Sequence, residues 1–229
     1  VADSTFVRAR ARLGYAAALM DIYGGAWRGL RGDSLIAVGL AAADDALRRD
    51  SMTSDGWMAR GYLLSFRNAA TFDGTREAFE RAVRFDPRNA EAWHQYAEIL
   101  SVLGYTEDAL RATRRALDLE PGRAVTYKDR AWLLLSLGDT RAAKEMSDSA
   151  LAIDSTPVFV HYRIQAAAGD TAMLRRILAS AERLNLLGTA AGIRLRLALA
   201  RGDTAAARSY LGPKPAANNL AAVGLLDSA

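Results

Sequence analysis

The chain has 229 residues, of which 51% are hydrophobic and only 8% aromatic, with no cysteine and a formal net charge of +4. Disulfides, thiolate catalysis and cysteine-based zinc sites are excluded, and His94 and His161 alone are too few for a histidine-rich metal centre. Only Lys128, Lys144 and Lys214 among the 30 basic residues are lysines; with abundant alanine, this arginine bias reflects a GC-rich bacterial genome, so a pI near 9.6 does not by itself point to nucleic acid.

Two markers recur along the chain. An acidic residue followed by Ser or Pro closes an Ala/Leu/Arg-rich stretch at Asp3-Ser4, Asp50-Ser51, Asp86-Pro87, Glu120-Pro121 and Asp154-Ser155, at spacings of 47, 36, 34 and 34 residues. Half a period away stand Gly138-Asp139-Thr140, Gly169-Asp170-Thr171 and Gly202-Asp203-Thr204, with Gly32-Asp33-Ser34 as an earlier echo. Gly supplies the left-handed residue that ends one helix, and the next Asp or Thr caps the following one. Each period therefore predicts two helices joined by a tight turn.

In chain order, Arg8, Arg10 and Arg12 interrupt any apolar run at the start, which argues against a signal peptide. Asp3-Ser4-Thr5 matches the end of a repeat, and the chain opens on Val1, so a piece cut from a longer protein is expected. The first period, near 3–51, holds the glycine-rich run from Tyr23 to Gly32. No Gly-Lys-Ser/Thr follows it and no strand precedes it, so it reads as a lengthened connection, with Trp27 pinning the loop to the array, rather than a phosphate loop. The unit near 52–87 carries Trp57, Gly61, Leu64, Phe79, Ala82 and Pro87, with extra residues in its turn around 68–74. The clearest unit lies near 88–121: Trp93, Tyr96, Ala97 and Leu100, then Gly104, Ala109, Ala116 and Pro121. Trp93, Tyr96 and Leu100 form one helical stripe, while the alanines leave room for close helix approach. The unit near 122–155 repeats the scheme with Tyr127, Ala131, Leu134, Gly138, Ala143 and Ala150, and weaker units follow near 156–187 and 188–212. Pro213 and Pro215 break the pattern, leaving 213–229 as a capping segment with a short helix over 219–226.

The 34-residue period and the pattern from Trp93 to Pro121 resemble the tetratricopeptide repeat (TPR). The resemblance implies an all-α, right-handed superhelical solenoid of antiparallel helix pairs over 1–212, about five to six pairs in all. It also implies a concave face lined by the first helix of each pair. The run from Trp93 to Leu100, with the acidic closures, is similar to TPR arrays at the C-terminal end of bacterial signalling proteins.

Projected onto that face, the repeat positions place Met58 and Tyr62, then Glu91, His94, Gln95 and Glu98, then Lys128, Asp129 and Trp132, and finally Arg163. Such a mixed row suits a peptide with apolar anchors and charges. The alternative for Tyr62 and Trp132 is packing between helices. Arrays that hold a chaperone's terminal carboxylate use Lys, Asn and Arg where His94, Glu98, Lys128 and Trp132 stand here; only Lys128 fits. His161 is expected at a helix interface.

No nucleophile–base pair, metal cluster or phosphate loop emerges, so neither catalysis, cofactor nor metal is expected. No run of roughly 18 apolar residues exists to span a membrane. Arg48-Arg49, Arg114-Arg115 and Arg175-Arg176 are interleaved with acids, which favours a solvated helix face over a nucleic-acid path. The expectation is a non-catalytic scaffold binding a peptide or partner domain, within a bacterial signalling or regulatory protein. A small-ligand-sensing domain of a receptor or transcription regulator, and self-association, remain alternatives. The compartment is open between cytoplasm and the outer side of a membrane protein.

Overall fold

A computed structural model of the chain describes residues 4–22, 24–67, 72–154 and 159–211. Among them lie twelve helices and no strand, apart from one isolated bridge between Trp27 and Leu30. The segment 213–229 and its capping helix fall outside the described residues.

The chain divides into two compact units, Val1–Gly122 and Arg123–Ala229. The first contains α1 (Ser4–Ile22), α2 (Gly32–Arg49), α3 (Ser54–Arg67), α4 (Thr75–Phe85), α5 (Ala90–Val102) and α6 (Thr106–Leu119). The second contains α7 (Ala124–Ser136), α8 (Thr140–Ile153), α9 (Phe159–Ala167), α10 (Thr171–Arg183), α11 (Leu187–Ala200) and α12 (Thr204–Ser209). Each unit is all-α and built of consecutive antiparallel helix pairs.

The acidic closures act as uniform stops. Asp50, Asp86, Glu120 and Asp154 are the C-caps of α2, α4, α6 and α8; each leaves the helical conformation and donates its N–H to an alanine carbonyl four residues back. At Asp50 and Asp86 the carboxylate accepts the N–H two residues on, from Met52 and Arg88, both at 2.9 Å. The indoles then clamp these corners: Trp57 Nε1 donates to the Ser51 carbonyl at 2.8 Å and Trp93 Nε1 to the Pro87 carbonyl at 3.1 Å.

The turns within pairs follow the second marker. Gly138, Gly169 and Gly202 have φ of 82, 71 and 72°. Asp139, Asp170 and Asp203 donate their N–H to the carbonyls of Leu134, Gln165 and Ala198 in the six-to-one bond of a Schellman motif. Each of these aspartates also accepts the N–H three residues on, at 2.9–3.0 Å, and so caps the next helix. The earlier echo is built differently. Gly32 is already helical, its N–H donates to Asp21 Oδ1 at 2.7 Å, and Arg31 is the N-cap with no side-chain bond. Asp33 therefore sits in the first turn of α2 without capping it.

The connection before α2 is a small hairpin in which Trp27 and Leu30 exchange backbone hydrogen bonds, with Arg28 and Gly29 at φ of 50 and 83°. The Arg28 guanidinium lies 5.0 Å from the Trp27 ring.

Small residues bring the helices together. A Cβ on Gly14 would lie 2.8 Å from the Gly39 carbonyl oxygen, and one on Gly61 3.1 Å from the Phe79 ring. Ala109, Ala116, Ala131 and Ala143 are fully buried. The core of the first unit runs from Ile36, Leu40 and Leu63 to Phe79, Val83 and Ile99. That of the second passes from Ala131 and Ile164 to Leu174, Ile177 and Ile193.

Candidate functional site

In the first unit, α1 meets the N-terminal ends of α3 and α5 and their preceding corners around a groove of about 730 Å³. Asp50, Asp55, Asp86, Glu91 and Glu120 line it together with Arg8, Arg12 and Arg88. Arg8 and Arg12 approach Asp55 at 3.6 and 4.0 Å. Tyr15 forms part of the wall, and its hydroxyl donates to Glu91 Oε1 at 2.7 Å. Gln95 Nε2 donates both to that hydroxyl, at 3.1 Å, and to Glu91 Oε1, at 2.9 Å. The Tyr15 ring packs on Tyr62 with centroids 5.0 Å apart, and Tyr62 meets Phe66 edge-on at 5.3 Å. Three first helices are thereby tied together by one aromatic and hydrogen-bonded strip.

Of the residues expected on this face, Met58 and Glu91 line the groove. Met58, His94 and Gln95 are buried, each 5% exposed, whereas Glu98 is exposed. Tyr62 is half-buried against the cores on both sides of α3. Lys128, Asp129, Trp132 and Arg163 belong to the second unit. There Lys128 Nζ pairs with Asp129 Oδ1 at 3.1 Å, and the Arg163 guanidinium lies 4.9 Å from the Trp132 ring. Trp132 remains 37% exposed.

Tyr15 was not among the expected residues. Its signal is nonetheless present: of three Gly-Tyr dipeptides, Gly14-Tyr15 and Gly61-Tyr62 lie 47 residues apart, the length of the first period, while Gly104-Tyr105 falls at the turn before α6.

His161 sits at a helix interface in a buried polar chain. Its Nδ1 lies 2.8 Å from Ser147 Oγ, which also accepts from Gln165 Nε2 at 3.2 Å. That leaves the Ser147 hydroxyl proton for the imidazole. Gln165 Nε2 also donates to Asp148 Oδ1 at 2.8 Å, and Lys144 bridges Asp148 and Asp170 at 2.6 and 3.1 Å. Burial first, and then the charge of Lys128, lower the His161 pKa to about 4.

Elsewhere the Arg48-Arg49 cluster meets an acid. Arg48 and Arg49 both approach Asp45 at 3.2 Å, and Arg10 reaches it at 2.9 Å. Arg49 foremost, with Arg10 and Arg48, holds that carboxyl below its usual range. Among the described residues, no three His, Asp or Glu side chains gather as metal ligands would. No helix among them is long and apolar enough to cross a membrane.

Comparison with known proteins agrees with this architecture. Residues 78–111 match the tetratricopeptide-repeat family model. The matched stretch begins within α4, takes in α5 and ends within α6, one helix out of phase with the α5–α6 pair. The fold is similar to that of PilW, a widely conserved type IV pilus biogenesis factor, at 18% identity and a TM-score of 0.67, covering 87% of this chain and 90% of that one. PilF of Pseudomonas aeruginosa is similar at 16% identity and a TM-score of 0.64, over 88% and 90% of the two chains. A tetratricopeptide-repeat protein of Parabacteroides merdae is similar at 15% identity and 0.64, over 94% and 85%. Comparison with curated proteins gives no significant match. Residues 78–111 thus match a tetratricopeptide repeat, and the chain has the fold of tetratricopeptide-repeat arrays.

Proposed function

We propose that the chain is a non-catalytic scaffold that takes a peptide or partner segment on the face made by its first helices, as a module of a larger bacterial regulatory protein. The observation that carries this reading is the 730 Å³ groove along α1 and the ends of α3 and α5. Its walls alternate carboxylates, arginines and apolar side chains, and the Tyr15–Glu91–Gln95 bonds brace them from behind. A rigid, mixed surface of this kind binds an extended or helical segment with little reorganisation.

The test is selection of peptides from a random display library against the folded chain, then rebinding to an Arg12→Ala/Arg88→Ala double variant. Both residues line the groove and are exposed, so the variant should keep its helicity. His94, at 5% exposure, would instead disturb the core. Loss of binding by the double variant supports the reading. No selectable peptide, together with thermal stabilisation by a small metabolite, would overturn it in favour of a ligand sensor.

A further inference from the structure

The second unit has a groove of its own, about 370 Å³, where α7, α9 and α11 meet the start of α10. Its character is opposite to that of the first. Five carboxylates line the first groove. The second is lined by Arg163 and Arg196 with no carboxylate, over a floor that includes Leu135, Leu174 and Leu199.

The acids that flank the lining residues are engaged elsewhere: Asp139 and Asp203, beyond Leu135 and Ala200, accept the N–H groups of Ala142 and Ala206 at 3.0 and 2.9 Å. Asp170, beside the lining residues Gly169 and Thr171, accepts the Met173 N–H at 2.9 Å and pairs with Lys144 at 3.1 Å. Asp129 pairs with Lys128, and Glu182 with Arg194 at 2.6 Å. Among the described residues Arg163 has no ion-pair partner; its recorded neighbour is the Trp132 ring at 4.9 Å. Stacking on an indole holds a long, exposed guanidinium in place, so less freedom is lost when it meets a carboxylate.

We propose that this groove binds an acidic amphipathic peptide, with a carboxylate on Arg163 and an apolar side chain beside it on the Leu135–Leu199 floor. The inference rests on the reading that the first-helix face is the partner face, and adds the chemistry of the partner. Charge complementarity selects the sign, and the apolar floor selects a peptide over a nucleic-acid backbone, which presents phosphates without an apolar anchor.

The experiment uses the full chain and three fluorescent peptides of one length: Glu/Leu-patterned, its Gln/Leu analogue and its Lys/Leu counterpart. Fluorescence polarisation should show the Glu/Leu peptide binding at least about tenfold more tightly than the other two. Its affinity should weaken as salt rises. Arg163→Gln should weaken it by about tenfold, while Arg175→Gln, the same charge change on an exposed site of α10, should leave it unaltered. Equal affinity for the Lys/Leu or Gln/Leu peptide, or indifference to Arg163→Gln, would overturn the proposal and leave the scaffold reading standing. So would tighter binding of a single-stranded oligonucleotide that Arg163→Gln abolishes. Failure of the scaffold reading itself would show as no peptide selectable from a random library.

Discussion

The hydroxyl of Tyr15 donates a hydrogen bond of 2.7 Å to Glu91, joining α1 to α5 across 76 positions of sequence. The bond closes over α3, whose Tyr62 packs on the Tyr15 ring. Tyr15→Phe keeps the ring contact and deletes the donor, so it should destabilise the chain by about 1 kcal/mol. Urea denaturation measures this directly, and an unchanged midpoint would show that the strip is not braced through this bond.

Glycines at the crossing of α1 and α2 permit a distance that alanine forbids. Gly14→Ala places a methyl 2.8 Å from a backbone oxygen and should cost about 1–3 kcal/mol despite alanine's better helix propensity. Gly188, near the start of α11, has open space at its Cβ. Gly188→Ala should be neutral, or stabilising by up to about 1 kcal/mol. Thermal melts of the two variants should therefore shift in opposite directions or differ by several degrees.

Capping separates two similar tripeptides. Asp139→Ala removes a bond of 3.0 Å to the Ala142 N–H and should cost about 1 kcal/mol. Asp33→Ala removes no cap and should cost only a few tenths of a kcal/mol through the helix dipole. Equal losses in denaturant midpoint would contradict the assignment.

His161 makes stability depend on pH. Its folded pKa of about 4 lies below the ordinary 6.5, so the unfolded chain binds the proton more readily. The contribution of neutral His161 is fully present above pH 6.5 and is lost progressively as pH falls towards 4. The loss amounts to about 3 kcal/mol at the acid end. Lys128 adds to the disfavour of the charged form, and Asp148 and Asp154 oppose it. His161→Asn removes the titration, so its stability should fall less steeply over this window. Parallel pH profiles for the two proteins would contradict it.

Much of the fold was legible because caps and turns are local chemistry. The Gly-Asp-Thr turns and acidic closures act through bonds within six residues, so their recurrence in sequence marked the helix ends. The Gly32-Asp33-Ser34 echo is not a cap: α2 already begins at Gly32, whose N–H is taken by Asp21, a side chain eleven residues away. The site was harder to read. Helical projection puts His94 and Gln95 on the first-helix face, but the face is wide enough that both turn inward against neighbouring helices. Arg196 was missed because the last repeat has few bulky markers to fix its register, and Tyr15 because the long first period hid the alignment of α1 with α3.

The central claim is that partners engage the first helix of each pair. Hydrogen–deuterium exchange of the full chain, with and without a peptide selected against it, tests this most directly. The account predicts added protection in α1, α3 and α5 or in α7, α9 and α11, with α2, α6 and α8 unchanged. Protection concentrated in α2, α6 or α8 would contradict it.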